Sequence, residues 1–185
     1  MDQTSERTGS ETAGSTPAPA ADAGARPLKL RAVTAEDLTI FSAVLQDAVA
    51  VLGDMTYLPR ERRFALMVNR YLWERESNCA DGGDVCYRIR TGVHFDGVLR
   101  AAVQGLSLRA RKKILELLSI DFRPEADGAG FITLVFAGGG AIQLHVECID
   151  GWLADTGEPW RARCRPAHRV LADERRSRAR HARNQ

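Results

Sequence analysis

Gln143, His145 and Glu147 alternate along one short stretch of the chain. In a strand this spacing sets three side chains in a row on one face, about 7 Å apart. A histidine beside a carboxylate can move protons or supply one end of a metal site. No third partner accompanies them in the sequence, and a solvated sheet face explains the row without chemistry. Arg88, Arg90 and His94 form a similar row. Guanidinium forks suit the recognition of carboxylates or phosphates. If the two strands share a face, these six residues make one polar, partly basic binding surface.

Other residue types with reactive potential lack the setting their chemistry needs. A phosphate cradle requires glycines leading from a strand into a helix N-terminus. Gly138-Gly139-Gly140 leads into another strand with no Lys-Ser or Lys-Thr after it, which predicts a hairpin turn needing positive φ. Cys79, Cys86, Cys148 and Cys164 form no short C-x-x-C pair, so no zinc site is expected. No serine sits in a G-x-S-x-G elbow. The pair Glu36-Asp37 fits the positive end of a helix. The sequence assigns no catalytic residue, cofactor or metal, and an enzyme lacks positive support.

The elements that would position these rows follow from periodicity. Alternation over 28–33 predicts a strand. Thr34 with Asp37 three residues on is a capping-box variant, and Leu38, Phe41, Leu45 and Ala48 recur at helical spacing, predicting a first helix over 35–47. Strands are expected over 49–58, with a bend at Gly53-Asp54, and over 63–73. The alternating run 87–95 is a strand carrying Arg88, Arg90 and His94, and 98–104 is another. Ser107 is expected to cap a second helix, with Leu108, Leu115 and Leu118 on one face. Strands over 119–123, 131–136 and 141–149 complete the list, the last carrying Gln143, His145 and Glu147.

Together these elements predict an α+β fold, a curved antiparallel sheet packed on two main helices. The order strand-helix-strand-strand recurs in the two halves and suggests a duplicated unit. The alternative is a closed barrel resembling the pleckstrin-homology fold.

Length and charge bound the rest. The 185 residues predict one domain. Residues 1–27 hold almost no large apolar side chain, and such a segment is expected to be disordered. Residues 28–160 form the single globular domain. Residues 161–185 are expected to be a basic disordered tail: nine arginines against Asp173 and Glu174 make +7 there, and since the whole chain carries +2 the remainder is at −5. Arginines at this density attract polyanions by counterion release. No stretch is long and apolar enough to span a bilayer, and the N-terminal residues lack a signal-peptide pattern. A cytoplasmic protein with reduced thiols and no membrane partner is the expectation.

Three runs resemble a known family: 58–66 (Leu58 to Leu66), 90–95 (Arg90 to Phe95), and 134–142 followed by Val146-Glu147-Cys148-Ile149. They are similar to an uncharacterised bacterial family, the domain-of-unknown-function family numbered 2948, over 28–168. The resemblance implies no activity, cofactor or catalytic residue, and leaves the Arg-rich end beyond His168 outside it. The function expected is therefore a non-catalytic cytoplasmic binding or adaptor protein, holding an unknown protein partner on an exposed sheet face. The alternatives are nucleic-acid association through the basic tail, and a small-molecule enzyme using His145 and Glu147.

Overall fold

The computed structural model describes residues 27–76 and 86–162. The expected tails lie outside these residues, apart from Pro27, Arg161 and Ala162, as does the nucleic-acid reading of the basic end.

The chain runs through β1 (Lys29–Ala32), α1 (Ala35–Leu45), β2 (Val49–Leu58), β3 (Arg63–Tyr71), the single turn α2 (Trp73–Glu76), β4 (Cys86–Phe95), β5 (Val98–Gln104), β6 (Ile114–Pro124), β7 (Gly130–Phe136), β8 (Gly140–Val146) and β9 (Gly151–Ala162). The nine strands form one antiparallel sheet in the order β1-β9-β4-β3-β2-β6-β7-β8-β5. The sheet has two edges, β1 and β5, and does not close.

The first helix forms as its cap predicts. Thr34 Oγ1 accepts the Asp37 N–H at 3.2 Å, and Asp37 Oδ2 accepts those of Thr34 and Val33 at 3.0 and 2.9 Å. The Val33 N–H first, then the Thr34 hydroxyl and N–H, hold the Asp37 carboxyl below its ordinary pKa. Leu38, Phe41 and Leu45 bury one stripe of α1. The Asp47 N–H donates to Leu117 O at 2.9 Å and pins the helix end to β6.

Among the described residues the expected second main helix is not formed, and the α+β expectation is corrected with it. Residues 114–124 are a single strand. Leu115 and Leu117 face the core, and a bulge between Leu117 and Ser119 then moves the inward phase to Ile120 and Phe122. One extra residue in a period-2 pattern produces apolar spacings that imitate a helix. The Ile120 N–H next to the bulge is satisfied by Ser42 Oγ of α1 at 2.9 Å. With no helix between β5 and β6, the duplicated strand-helix-strand-strand unit is absent, and the open edges exclude the pleckstrin-homology-like barrel.

One apolar cluster fills the sheet's inner side, joining Leu66, Val93, Phe95 and Leu153 of the half β1-β9-β4-β3-β2 to Leu117, Ile132, Phe136 and Leu144 of the half β6-β7-β8-β5, with α1 against it. The expected hairpin at 138–139 is present: Gly138 and Gly139 have φ of 81° and 80° between β7 and β8. Among the described residues no helix is long and apolar enough to cross a membrane.

Candidate binding face

Alternation puts every second side chain of the first half outside. Arg31 of β1, Trp152 of β9 and His94 of β4 are direct cross-strand neighbours there. The Arg31 guanidinium lies 4.9 Å from the Trp152 ring centroid, and His94 stacks along the indole at 6.3 Å with the planes 17° apart. The tryptophan is held upright between two polar side chains and remains 42% exposed. Beside this wall Ala65, Met67, Gly92 and Ala154 form the floor of a trough of about 520 Å³. Across Met67 a second hollow of about 410 Å³ is bounded by Val49, Val51, Asn69, Arg90 and Trp160. Small and flexible apolar side chains thus make a shallow, two-lobed depression rimmed by two exposed tryptophans.

Charge frames the depression unevenly. Lys29 stands at the first trough as an exposed cation, and the second hollow carries both the Arg90 guanidinium and the exposed Asp54 carboxylate. Arg31 is held by Asp150 at 3.1 Å. At the end of the trough Arg63 grips Asp96 with two bonds of 2.6 and 3.1 Å, and His94 Nε2 lies 3.6 Å from the same carboxylate. The Arg63 hydrogen bond outweighs burial and holds the Asp96 carboxyl below its ordinary pKa.

The six sequence-identified residues separate. Arg90 and His94 belong to this depression. Arg88 turns its guanidinium to the Asp47 and Asn69 carbonyls, at 3.0 and 2.9 Å, and braces the backbone. Gln143 and His145 lie on the outer face of the other half. There His145 stacks on Phe131 at 4.8 Å, with Nε2 3.3 Å from Glu125. Glu147 falls past the end of β8 and bonds Arg62 at the turn between β2 and β3. Between β4 and β8 lie four strands, a path of about 24 Å along the sheet, so the two rows do not adjoin. Among the described residues no three His, Cys, Asp or Glu side chains gather to hold a metal ion.

The sequence reading missed a buried ionic network. Arg70 and Asp155 side chains are each 2% exposed. Arg70 Nε and Nη2 bond the two Asp155 oxygens at 2.8 and 2.7 Å. Nη1 and Nη2 also reach Glu74, and Nη1 the Tyr71 carbonyl at 3.4 Å. Asp155 further accepts the Thr91 hydroxyl at 2.8 Å and the Leu28 N–H at 2.9 Å. Burial alone would raise the Asp155 pKa; the bonds from Arg70, Leu28 and Thr91 outweigh it and hold it below the ordinary value. Burial likewise opposes the charge on Arg70, and its two carboxylate partners overcome this and raise its pKa. Every N–H of Arg70 is used, so although it lines a cavity of about 740 Å³ with Leu28, Val44 and Trp73, it offers a ligand no free donor. One signal for the network was available: Arg70 continues the inward phase of Phe64, Leu66 and Val68, where a charge needs a buried counterion.

A family model with the description "Protein of unknown function (DUF2948)" matches residues 28–168. No curated protein and no solved structure matches the chain.

Proposed function

The chain belongs to the protein family of unknown function DUF2948, and from that premise we propose that it is a non-catalytic cytoplasmic binding protein, holding an apolar, acidic segment of a protein partner in the depression across β1, β9, β4, β3 and β2. The observation that carries this reading is the exposed pair Trp152 and Trp160 around a floor of Ala65, Met67, Gly92 and Ala154. Tryptophan, methionine and arginine are enriched in the centres of protein interfaces. Arg31 and His94 pack against Trp152 and hold it in place, leaving it partly exposed as an apolar surface for a partner's side chains. Lys29 favours an acid at the margin beside the first trough, while the second hollow, where Arg90 and Asp54 both stand, suits a polar residue.

Photo-cross-linking in the native cells tests the reading. A photoreactive phenylalanine at Ala65 is expected to capture a discrete protein, and one at Gln143 on the other half is not. With that protein purified, Trp152→Ala should weaken binding about thirtyfold, corresponding to the ~2 kcal/mol of a central aromatic contact. Trp152 is outside the core, so the variant keeps its fold. Equal capture from both positions, or undiminished binding by the variant, refutes the proposal.

A further inference from the structure

Beside α1 lies the hollow of about 740 Å³, lined by Leu28, Ala43, Val44, Gln46, Trp73 and Glu74, with Arg70 behind them. Three separate parts of the chain build it. Leu28 precedes β1 and is fixed twice to Asp155: its N–H donates to Oδ2 at 2.9 Å, and its carbonyl accepts the Asp155 N–H at 2.9 Å. Ala43 and Gln46 are exposed, on the side of α1 away from the buried stripe Leu38, Phe41 and Leu45, and Val44 is half-buried beside them. Trp73 is the first residue of α2. The Leu72 N–H just before it donates to the Tyr87 carbonyl at 3.0 Å, and the Tyr71 ring lies 4.3 Å from the Trp73 ring, centroid to centroid. The walls are thus held by contacts of their own, as in a preformed ligand site.

One atom of this lining is out of balance. Trp73 Nε1 is buried, and among the described residues no acceptor takes its proton. An indole nitrogen can only donate. Buried polar groups in native proteins are nearly always paired, because an unpaired one carries its full desolvation cost. A buried, unpaired donor in the lining of a ligand-sized hollow is therefore a binding determinant for an acceptor. The charges at the same place select against anions. Arg70 bonds both Asp155 and Glu74, so one cation and two carboxylates sum to −1. Glu74 is 47% exposed at the hollow, where an anionic ligand would meet it.

We infer that the hollow between α1, α2 and Leu28 binds a small neutral molecule, mostly apolar and bearing a carbonyl-type acceptor, to which Trp73 Nε1 donates. Leu28, Ala43 and Val44 cover the apolar part of the ligand. A few placed polar groups within apolar walls are the ordinary composition of small-molecule sites. The hollow shares no lining residue with the depression around Trp152, and neither reading needs the other.

The probe is prodan, a neutral aminonaphthalene with one ketone, titrated into the full chain and followed by its emission. Saturable binding is expected. Trp73→Phe keeps an aromatic ring and removes the N–H. It should weaken prodan roughly fivefold to tenfold, the worth of one hydrogen bond, and an analogue with methylene in place of the ketone by less than about twofold. Ala43→Phe, at an exposed helix position, should narrow the hollow and weaken both ligands alike. A carboxylate in place of the ketone should abolish binding. In the wild-type chain, a readout independent of any variant's fold, prodan should slow hydrogen exchange at 43–46 and 72–74. No saturable binding up to the solubility of prodan overturns the inference. So does a Trp73→Phe effect that is absent, or equal for the two ligands, since a donor satisfied by water would not discriminate between them. Protection confined to 65–67 and 152–156 places the dye in the outer depression and also overturns it, leaving the proposed function standing.

Discussion

Replacing Asp155 by asparagine changes one buried charge and almost no volume. The carboxylate accepts four hydrogen bonds, from Arg70 Nε, Arg70 Nη2, Thr91 and Leu28. An amide has one oxygen, so its NH₂ must face donors: Arg70 Nη2 and the Leu28 N–H in one placement, Arg70 Nε in the other. Arg70 then keeps only Glu74, whose side chain is 47% exposed, as a counterion. Breaking a buried ion pair from one side costs about 3–5 kcal/mol. Because Glu74 remains, the expectation is the lower end, about 3 kcal/mol, or roughly 12 °C in Tm for a domain of this size. Urea unfolding followed by tryptophan fluorescence, compared at constant m, measures it. The pH dependence gives a second reading. The folded pKa of Asp155 lies below its ordinary 3.8, so its contribution is whole above that value and is lost as pH falls through the lower, native value. The stability gap between wild type and Asp155→Asn should therefore stay constant from pH 7 to about 4 and shrink below it. A loss under about 1 kcal/mol, or a gap unchanged at acid pH, would refute the account of the network.

Two further predictions address the strand that replaced the expected helix and the turn beside it. Leu117→Ala should cost about 2–5 kcal/mol because the side chain is fully buried, whereas Leu118→Thr, on the exposed side of the same strand, should cost less than about 0.5 kcal/mol; thermal melts that reversed this order would restore a helical phase. Gly105 has φ +66°, and a Cβ there would stand 2.6 Å from the Gly139 carbonyl oxygen. Gly105→Ala should cost about 2–3 kcal/mol, and Gly138→Ala, with φ +81° but open space around it, only about 1 kcal/mol; equal losses by chemical denaturation would contradict the close approach.

Local chemistry was legible in the sequence wherever one short segment carried its own signal. Thr34 and Asp37 announced α1, alternation announced the strand bearing Arg90 and His94, and the glycines at 138 and 139 announced their turn. The signals failed where a bulge broke the period, as at Leu117 and Ser119. They also failed over 151–162, where Asp155, Gly157 and Pro159 obscure a strand; there a register shift opposite Arg88 and Arg90 and a positive φ at Gly157 accommodate the irregularity. Strand order has no local signal, and that order is what parts Arg90 and His94 from Gln143 and His145. The depression itself escaped notice because Ala65, Met67 and Ala154 are unremarkable singly and meet only when β3, β4 and β9 align.

The position of β9 bears on the order in which the molecule can be completed. It is the last described strand along the chain, yet it lies in the interior of the sheet, between β1 and β4. During synthesis β1 emerges first and has no strand partner until residues 151–162 follow. Until then β4 exposes a long unpaired edge, and the Leu28 N–H, Thr91 and Arg70 await one carboxylate. The wall and floor of the depression, Trp152 and Ala154, arrive with the same strand. A nascent chain would therefore acquire its candidate binding face and its last interior strand in one event, so that the face exists only once the sheet's folding is complete.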